Sequence, residues 1–490
     1  MIILKSKYAR LLASVLTLAI ISCSNPWDDR TDNGDANLGV TLNEAISKTS
    51  ETSQFAELLV QTGYDEILAS SKTFTVFVPT NAAMAEVESS ILNNPEAVRA
   101  FVANHITLTA YSSIRTNQQE RIKMFTNKNL IFKGSTMIDD ATIVNPDQYA
   151  KNGVFHIIDK ALTPKLNIWQ YINSQAGVSA TSDYLLSLKD FSIYTSDITA
   201  KALSVERGVG YLSDSLTNSY LRNVYNLNNE NNLYTLFLME DAGYTAEVDK
   251  MKPYLIKTSN EPTIDSTAIY AKYFTLRDMA FAKKYELDEL PATLTSRFGV
   301  EVPIDKTQIV QQIHLSNGIV YIMKKVDVPL AKRLLTTRIE GEKNSGYIGS
   351  RTPILYRDRR DPLGVLFNDI MVQAPTRAKF TLFYNARDMY STTYKVYWRA
   401  INDRTTSTLF QQKLGIGGSI VLTGSTYDVA NFTEAVPLTI IPFNNYDEIL
   451  VGQFTMTTAG NIDMISLIGG ATTATSGLTL DYLKFVPVLK

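Results

Sequence analysis

Phe74-Thr75-Val76-Phe77-Val78-Pro79-Thr80-Asn81-Ala82-Ala83-Met84 is the stretch that decides how this chain folds. Phe74, Val76 and Val78 alternate with Thr75 and Phe77, so both faces are apolar enough to be covered, as in a central strand. Pro79 has no N–H to give to a ladder and ends the strand. Thr80 or Asn81 is then placed to cap a helix that carries Met84 and Val87. The partner of this stretch is Asn152-Gly153-Val154-Phe155-His156-Ile157-Ile158-Asp159, in which a hairpin dipeptide of the type I′ kind opens a second apolar strand.

The residues around these blocks are read as helices and short strands. Leu42, Ala45 and Ile46 recur at helical spacing, as do Phe55, Leu58 and Leu59 before Gly63. Asn94-Pro95-Glu96 is a helix start, and Val98, Phe101, Val102, His105 and Ile106 share one face of the helix it opens. His105 thus lies on an apolar face with no acidic partner or cleft in view, so it reads as a core histidine bonded to backbone, not as a base. Beyond it, Asn127-Lys128-Asn129, Lys133-Gly134-Ser135, Asp139-Asp140 and Asn145-Pro146-Asp147 punctuate short strands as turns.

The two signature blocks, in this order, resemble those of the fasciclin-like (FAS1) domain, a cell-surface adhesion module. The closing pattern N-G-x-x-H-x-I-D-x-x-L-x-P is met by Asn152, Gly153, His156, Ile158-Asp159, Leu162 and Pro164, and the family carries a histidine at the place of His105. The resemblance covers about residues 38–165. It implies that Phe74, Pro79, Thr80, Asn81, His105, Asn152, Gly153, His156 and Asp159 hold the fold and do no chemistry.

Such modules occur in tandem, and a second copy is traceable. Leu166–Ile172 starts a helix, Tyr234-Thr235-Leu236-Phe237-Leu238 repeats Phe74–Val78 at an offset of 160, and Asn317-Gly318-Ile319-Val320-Tyr321 repeats the closing block. This copy, residues 166–335, departs from the pattern: Met239-Glu240-Asp241 replaces Pro79-Thr80-Asn81, and Tyr321 stands in place of His156. Asp241 is expected to cap the following helix, and His314, just before the closing turn, to face solvent or a neighbouring strand.

From residue 340 to 490 the helical period gives way to alternating runs separated by Gly, Asn, Thr and Ser. Phe380–Tyr384, Tyr394–Ala400, Leu438–Pro442, Ile449–Val451, Ile465–Ile468 and Leu478–Pro487 read as strands of a two-sheet, jelly-roll-like sandwich. The last run resembles the L-x-x-D-x-I-x-F-x-P ending of galactose-binding-like domains of bacterial surface proteins. Tyr397 and Trp398 are neighbours in one strand and must face opposite ways, so one is core and the other is a candidate ligand-stacking platform. Arg357-Asp358-Arg359-Arg360-Asp361-Pro362 reads as a salt-bridged loop, and Gly415-Ile416-Gly417-Gly418 as a turn between strands.

The fold class expected for this 490-residue chain is therefore multidomain: two α+β fasciclin-like modules followed by an all-β sandwich. Its 26 tyrosines and 20 phenylalanines suit such sheets. Residues 1–22 read as a signal peptide, with Lys5, Lys7 and Arg10 before the apolar run Leu11–Ile21. Ile20-Ile21-Ser22-Cys23 looks like a bacterial lipobox, and Cys23, the single cysteine, is then lipidated; the plainer alternative is a cleaved signal with an incidental cysteine. The tether 23–37 carries Asp28 and Asp29, which resemble the acidic surface-export signal of Bacteroidetes lipoproteins, or else are simply solvated. Loss of residues 1–22 would move the net charge from −2 to −5, and with no Lys/Arg run this argues against nucleic acid as a partner.

No H-E-x-x-H, G-x-S-x-G, phosphate-binding loop or complete G-x-G-x-x-G occurs, and three histidines spread over two modules form no metal cluster. Neither a catalytic residue nor a metal ligand nor a cofactor is expected. The expectation is a non-catalytic, lipid-anchored protein of the outer membrane facing outward, which binds an extracellular protein or polysaccharide and sits, in one variant, beside an outer-membrane nutrient importer. The alternative is a cell-surface, glycosidase-like hydrolase with a cryptic carboxylate site in the sandwich.

Overall fold

The computed structural model describes residues 36–113, 119–190, 192–208, 210–258, 265–404 and 409–490, so Cys23, Asp28 and Asp29 lie outside the described residues. In the first module, helices α1 (Leu42–Ser47), α2 (Ser53–Thr62), α3 (Tyr64–Leu68), α4 (Asn81–Ala85), α5 (Ser89–Leu92) and α6 (Pro95–Ala103) accompany a seven-stranded sheet. Its strands are β1 (Phe74–Pro79), β2 (Ile106–Leu108), β3 (Glu120–Lys123), β4 (Asn129–Phe132), β5 (Met137–Ile138), β6 (Ala141–Ala150) and β7 (Gly153–Ile158), in the order β2-β1-β7-β6-β5-β4-β3.

Strand β1 runs parallel to β7 from Phe74 opposite Gly153 to Pro79 opposite Ile158, and antiparallel to β2. Every residue of β1 and β7 is buried because each face has its own core. Phe74, Val76 and Val78 pack with Leu42, Phe55 and Phe101 on the helical side. Phe77 packs with Ile122, Phe132 and Ile138 from β3, β4 and β5 on the other. An unbroken apolar strand is what that double burial requires.

Local caps fix the helices. Thr41 and Glu44 form a reciprocal capping box on α1, and Asn94 Oδ1 accepts from Glu96 and Ala97 N–H at the start of α6, just ahead of Pro95. Asn145-Pro146-Asp147, expected to be a turn, lies inside β6. The register slips between Ile143 and Gln148, and Asp147 takes a φ of 56°. A bulge accepts a residue without an N–H where a regular ladder does not.

In the second module α7 (Ile168–Ser174) and α8 (Ala180–Ser187) precede β8 (Tyr234–Met239), which is followed by α9 (Asp241–Met251), α10 (Ser266–Leu276) and β9 (Ala280–Phe281). Strands β10 (Thr293–Thr295) and β11 (Glu301–Pro303) pair separately, while β12 (Ile309–Leu315) and β13 (Gly318–Met323) complete a sheet of order β12-β13-β8-β9. That order repeats β6-β7-β1-β2. Asp241 does not cap its own helix: the cap residue is Glu240, without a side-chain bond, and Asp241 Oδ1 instead accepts from Ala180 N–H at the start of α8 at 3.0 Å.

The last region is all-β. One sheet has the order β14-β27-β19-β24: β14 (Thr337–Glu340), β27 (Tyr482–Pro487), β19 (Thr393–Arg399) and β24 (Ile449–Thr455). A second has the order β15-β18-β25-β20-β23: β15 (Gly346–Ile348), β18 (Thr381–Met389), β25 (Gly460–Gly469), β20 (Gln411–Ile416) and β23 (Thr433–Ile440). Strands β16 (Ile354–Arg360), β17 (Leu366–Val372) and β26 (Leu478–Leu480) form a third, and β21 (Ser419–Thr423) and β22 (Thr426–Ala430) a hairpin. The core holds Tyr394, Val396 and Trp398 from β19 with Phe454, Leu483 and Phe485, and Tyr394 stacks on Phe454 at 5.2 Å.

Two expectations change here. Leu478–Pro487 is not one strand, since β26 and β27 belong to different sheets and part at Asp481, whose buried carboxylate takes Arg399 Nη1 at 2.6 Å. A strand that switches sheets makes the corner of a sandwich. Arg357–Arg360 is not a loop but the end of β16, paired residue for residue with β17.

Close contacts divide the chain into two units. The first runs to Tyr171 and adds Leu227–Leu233 and His314–Gly318; the second holds Ile172–Asn226, Tyr234–Ile313 and Ile319–Lys490. Within the first, the Lys128 ammonium ties in those short segments, meeting Glu230 Oε1 at 2.8 Å and Ser316 Oγ at 3.2 Å. Within the second, the fasciclin-like elements and the sandwich are joined by Tyr390 Oη to the Arg333 carbonyl at 2.9 Å and Ile256 N–H to Ser391 Oγ at 3.0 Å.

Candidate functional site

The signature residues of the first module are occupied in holding it together. Asn152 Oδ1 accepts from Leu42 N–H, and its Nδ2 donates to the carbonyls of Leu68 and Ser70, so one amide closes three chain segments. Gly153 has a φ of 152°, and a Cβ there would sit 2.0 Å from the Phe74 carbonyl oxygen. Thr80 Oγ1 caps α4 through Ala83 N–H at 3.1 Å, and Asn81 Oδ1 reaches across to Gln54 N–H at the start of α2. Asp159 Oδ1 accepts from Thr142 N–H at 2.7 Å.

Both histidines of this module are locked neutral by their partners. Leu162 N–H donates to His105 Nε2 at 2.9 Å, so the ring proton must be on Nδ1, which donates to the Phe101 carbonyl at 2.8 Å. Burial pushes the His105 pKa down to about 4, against the raising effect of that Phe101 bond. His156 has the opposite tautomer: Nδ1 accepts from Asp147 N–H and Nε2 donates to the Tyr111 carbonyl at 2.8 Å. Its pKa is also lowered, chiefly by burial.

The second module rebuilds these bonds with partly different residues. Asn317 Oδ1 accepts from Ile168 N–H, and its Nδ2 donates to the carbonyls of Leu227 and Asn229, as Asn152 does in the first. Gly318 has a φ of 150°. Tyr321 stacks on Phe237 at 5.5 Å where His156 stacks on Phe77 at 5.3 Å, both at 19° between rings. Its hydroxyl donates to the Tyr285 carbonyl at 3.0 Å, the bond that His156 Nε2 makes to Tyr111. Thr75 and Thr235 correspond as well, each donating to a carbonyl and accepting an N–H two residues later. His314 is exposed, on β12.

In the sandwich, Trp398 is wholly buried and cannot stack on a ligand; its place on the inward face of β19 fixes it in the core. Tyr397, on the outward face, is half-buried, and the Lys484 ammonium lies 4.8 Å from its ring centroid. Of the pair, Trp398 is therefore the core residue, and Tyr397 is the one left on the outward face. The arginines of β16 are also committed: Arg357 Nε meets Asp369 Oδ1 at 2.7 Å, and Arg359 pairs with Asp403. Asp369 has no exposure, and a carboxylate so buried needs such cations.

A recess in the sandwich lies elsewhere. A cleft of about 260 Å³ opens between β20, β22 and β23, with Phe432 and Leu438 as apolar walls and Lys379, Lys413, Asp428 and Glu434 as its charged groups. Gly415 explains the position of Phe432: a Cβ on Gly415 would meet Phe432 Cδ2 at 2.5 Å, and one on Gly418 would meet its Cβ at 3.0 Å. Gly415 and Ile416 thus belong to β20, and only Gly417 and Gly418 make the expected turn. Lys413 Nζ lies 4.9 Å from the Phe432 centroid and 3.1 Å from Glu434 Oε2. Asp428 Oδ1 takes Arg377 Nη2 at 2.7 Å. An aromatic wall flanked by hydrogen-bonding charges suits a polar ligand with an apolar face. Among the described residues no group of three His, Cys, Asp or Glu is placed to hold a metal.

The family model for the Fasciclin domain matches residues 50–164, the span that contains both signature blocks. Residues 50–164 are a fasciclin domain. This fasciclin domain is similar to part of the rabbit (Oryctolagus cuniculus) transforming growth factor-beta-induced protein ig-h3, 30% identical over 131 residues, which is 24% of this chain and 18% of that protein. It is similar to Protein sll1483 of Synechocystis sp. (strain ATCC 27184 / PCC 6803 / Kazusa), 30% identical over 110 residues, 21% of this chain and 61% of that protein. The chain thus spans less than two thirds of the length of either curated relative. Among solved structures, the FAS1 domain pair of the insect cell adhesion molecule Fasciclin I aligns at 16% identity and a TM-score of 0.22, covering 58% of this chain and 99% of that one. The CBM36-1 domain of a multidomain xylanase from the hindgut metagenome of Trinervitermes trinervoides aligns at 14% identity and a TM-score of 0.21, covering 32% of this chain and 100% of that one.

Proposed function

We propose that this is a non-catalytic, lipid-anchored protein of the outer cell surface that holds an extracellular polysaccharide in its C-terminal sandwich. The observation that carries the reading is the Phe432 cleft, where an apolar wall stands beside carboxylates already paired with cations. The fasciclin domain and its divergent second copy act as the adhesive and spacing part, and an extracellular partner protein is a second class of ligand for them.

The address rests on Cys23 as lipid attachment and Asp28 and Asp29 as the outward signal, in the manner of Bacteroidetes lipoproteins that stand beside nutrient importers. A glycan array with the purified protein, run alongside a turnover assay on every glycan bound, tests the proposal. Binding without turnover is expected. Turnover abolished by a single Asp or Glu substitution in the sandwich would replace it with the hydrolase reading.

A further inference from the structure

We propose that the Phe432 cleft takes an acidic saccharide and seats its anionic group on Lys379. The inference rests on the polysaccharide reading of this cleft and adds the class of sugar. Two observations support it. The first is charge pairing: Asp428 is neutralised by Arg377 and Glu434 by Lys413, whereas the Lys379 ammonium has no ion pair among the described residues. Three cations therefore face two carboxylates, and the surplus one is an exposed lysine on the cleft wall. The second is backbone conformation. Lys379 has a φ of 55°, the left-handed region that glycine and asparagine tolerate and a long side chain does not favour.

Its backbone is held there by Lys379 N–H to the Gly470 carbonyl at 2.9 Å, and its own carbonyl accepts from Thr381 Oγ1 at 3.0 Å. On the lysine's side those bonds use only the main chain and would be equally met by glycine, so the fold does not explain the lysine. A strained residue whose side chain reaches a recess is a pointer to function. The chemistry that fits is a sugar whose C–H face lies along Phe432 and Leu438 and whose carboxylate or sulfate meets the ammonium.

The test is calorimetry on the purified protein with three probes of equal length: oligogalacturonate, its methyl ester, and a sulfated galactan oligosaccharide. Free acid or sulfate is expected to bind about 10-fold more tightly than the ester, the size of one charge-assisted hydrogen bond, and the two anionic arms separate carboxylate from sulfate. Lys379→Gly should erase that preference without lowering the melting temperature, since glycine relieves the φ of 55°, and Lys379→Arg should retain it. Equal binding of acid, sulfate and ester, unchanged by Lys379→Gly, would overturn the anionic assignment and leave the saccharide cleft in place. No binding of any probe, nor of any neutral glycan on the array, would overturn both.

Discussion

Acid should weaken the fasciclin domain well before its carboxylates protonate, because two buried histidines have to gain a charge. His105 is fully buried, with a pKa of about 4 against 6.5 for the free side chain. Its Nε2 receives the Leu162 N–H, so a proton arriving there would face another donor. With the folded pKa below the unfolded one, the unfolded chain takes up the proton first as pH falls. The stabilisation is whole above pH 6.5, declines below it and is gone below about 4. The full loss is about 3 kcal/mol, and about 2 kcal/mol of it falls between pH 7 and pH 5. For a domain stable by roughly 5–15 kcal/mol, that is a large share. His156, whose pKa is lowered by burial, acts in the same direction.

The two contributions separate in a His156→Tyr variant, which copies the second module and leaves His105 as the buried histidine of the domain. Hydrogen exchange of peptides spanning α6, corrected for the intrinsic pH dependence, reads the opening free energy at pH 7, 6 and 5. A decline of about 2 kcal/mol in this variant is expected, and it should vanish when His105→Asn is added. A His105 imidazole that titrates near 6.5 by NMR, or an opening energy that stays level from pH 7 to 5, would refute the argument.

The same geometry sets other outcomes. His156→Tyr should cost about 1 kcal/mol in urea denaturation, since the phenol keeps the bond to the Tyr111 carbonyl and loses only the one from Asp147 N–H. Asn152→Ala removes three hydrogen bonds at a chain junction and should cost about 3 kcal/mol, with Asn317→Ala costing a similar amount in the second module. Gly415→Ala, whose Cβ would meet Phe432 at 2.5 Å, should abolish glycan binding while leaving the fasciclin domain's exchange unchanged. Cys23→Ala should move the protein from the membrane to the soluble fraction; retention in the membrane would sink the lipid anchor.

The fold was most legible where one residue type answers a constraint that no other can meet. Gly153 stands 2.0 Å too close to the Phe74 carbonyl for any Cβ, and β1 is apolar throughout because each of its faces has a core. Legibility failed where a residue's partner is distant in sequence. Pro146 reads as a turn until Asp147 N–H is seen to meet His156, and Asp241 reads as the cap of its own helix until it reaches Ala180. Trp398 and Tyr397 were separable into inside and outside by alternation, but the lysine over Tyr397 comes from a strand 87 residues away. Phe432 gave no local signal at all. Its only trace was Gly415 and Gly418, which read as turn residues when nothing yet stood over them.

The replacement of His156 by Tyr321 bears on what the module's polar signature is for. Were the histidine a site for ligand or proton, the tyrosine would mark a lost function. Both rings instead stack on a phenylalanine at the same 19°, and both donate to the carbonyl of a tyrosine that lies beyond the end of an edge strand, β2 or β9. What is kept is a flat ring with a donor at its far edge. Imidazole and phenol meet that need equally, at pH 7 and uncharged. Asn81 and Asp241 make the same point, since either side chain accepts an N–H from the first turn of another helix. The signature polar groups are spent on satisfying buried backbone, so ligand recognition has to come from side chains that the fold does not use, of which Lys379 beside Phe432 is the plainest.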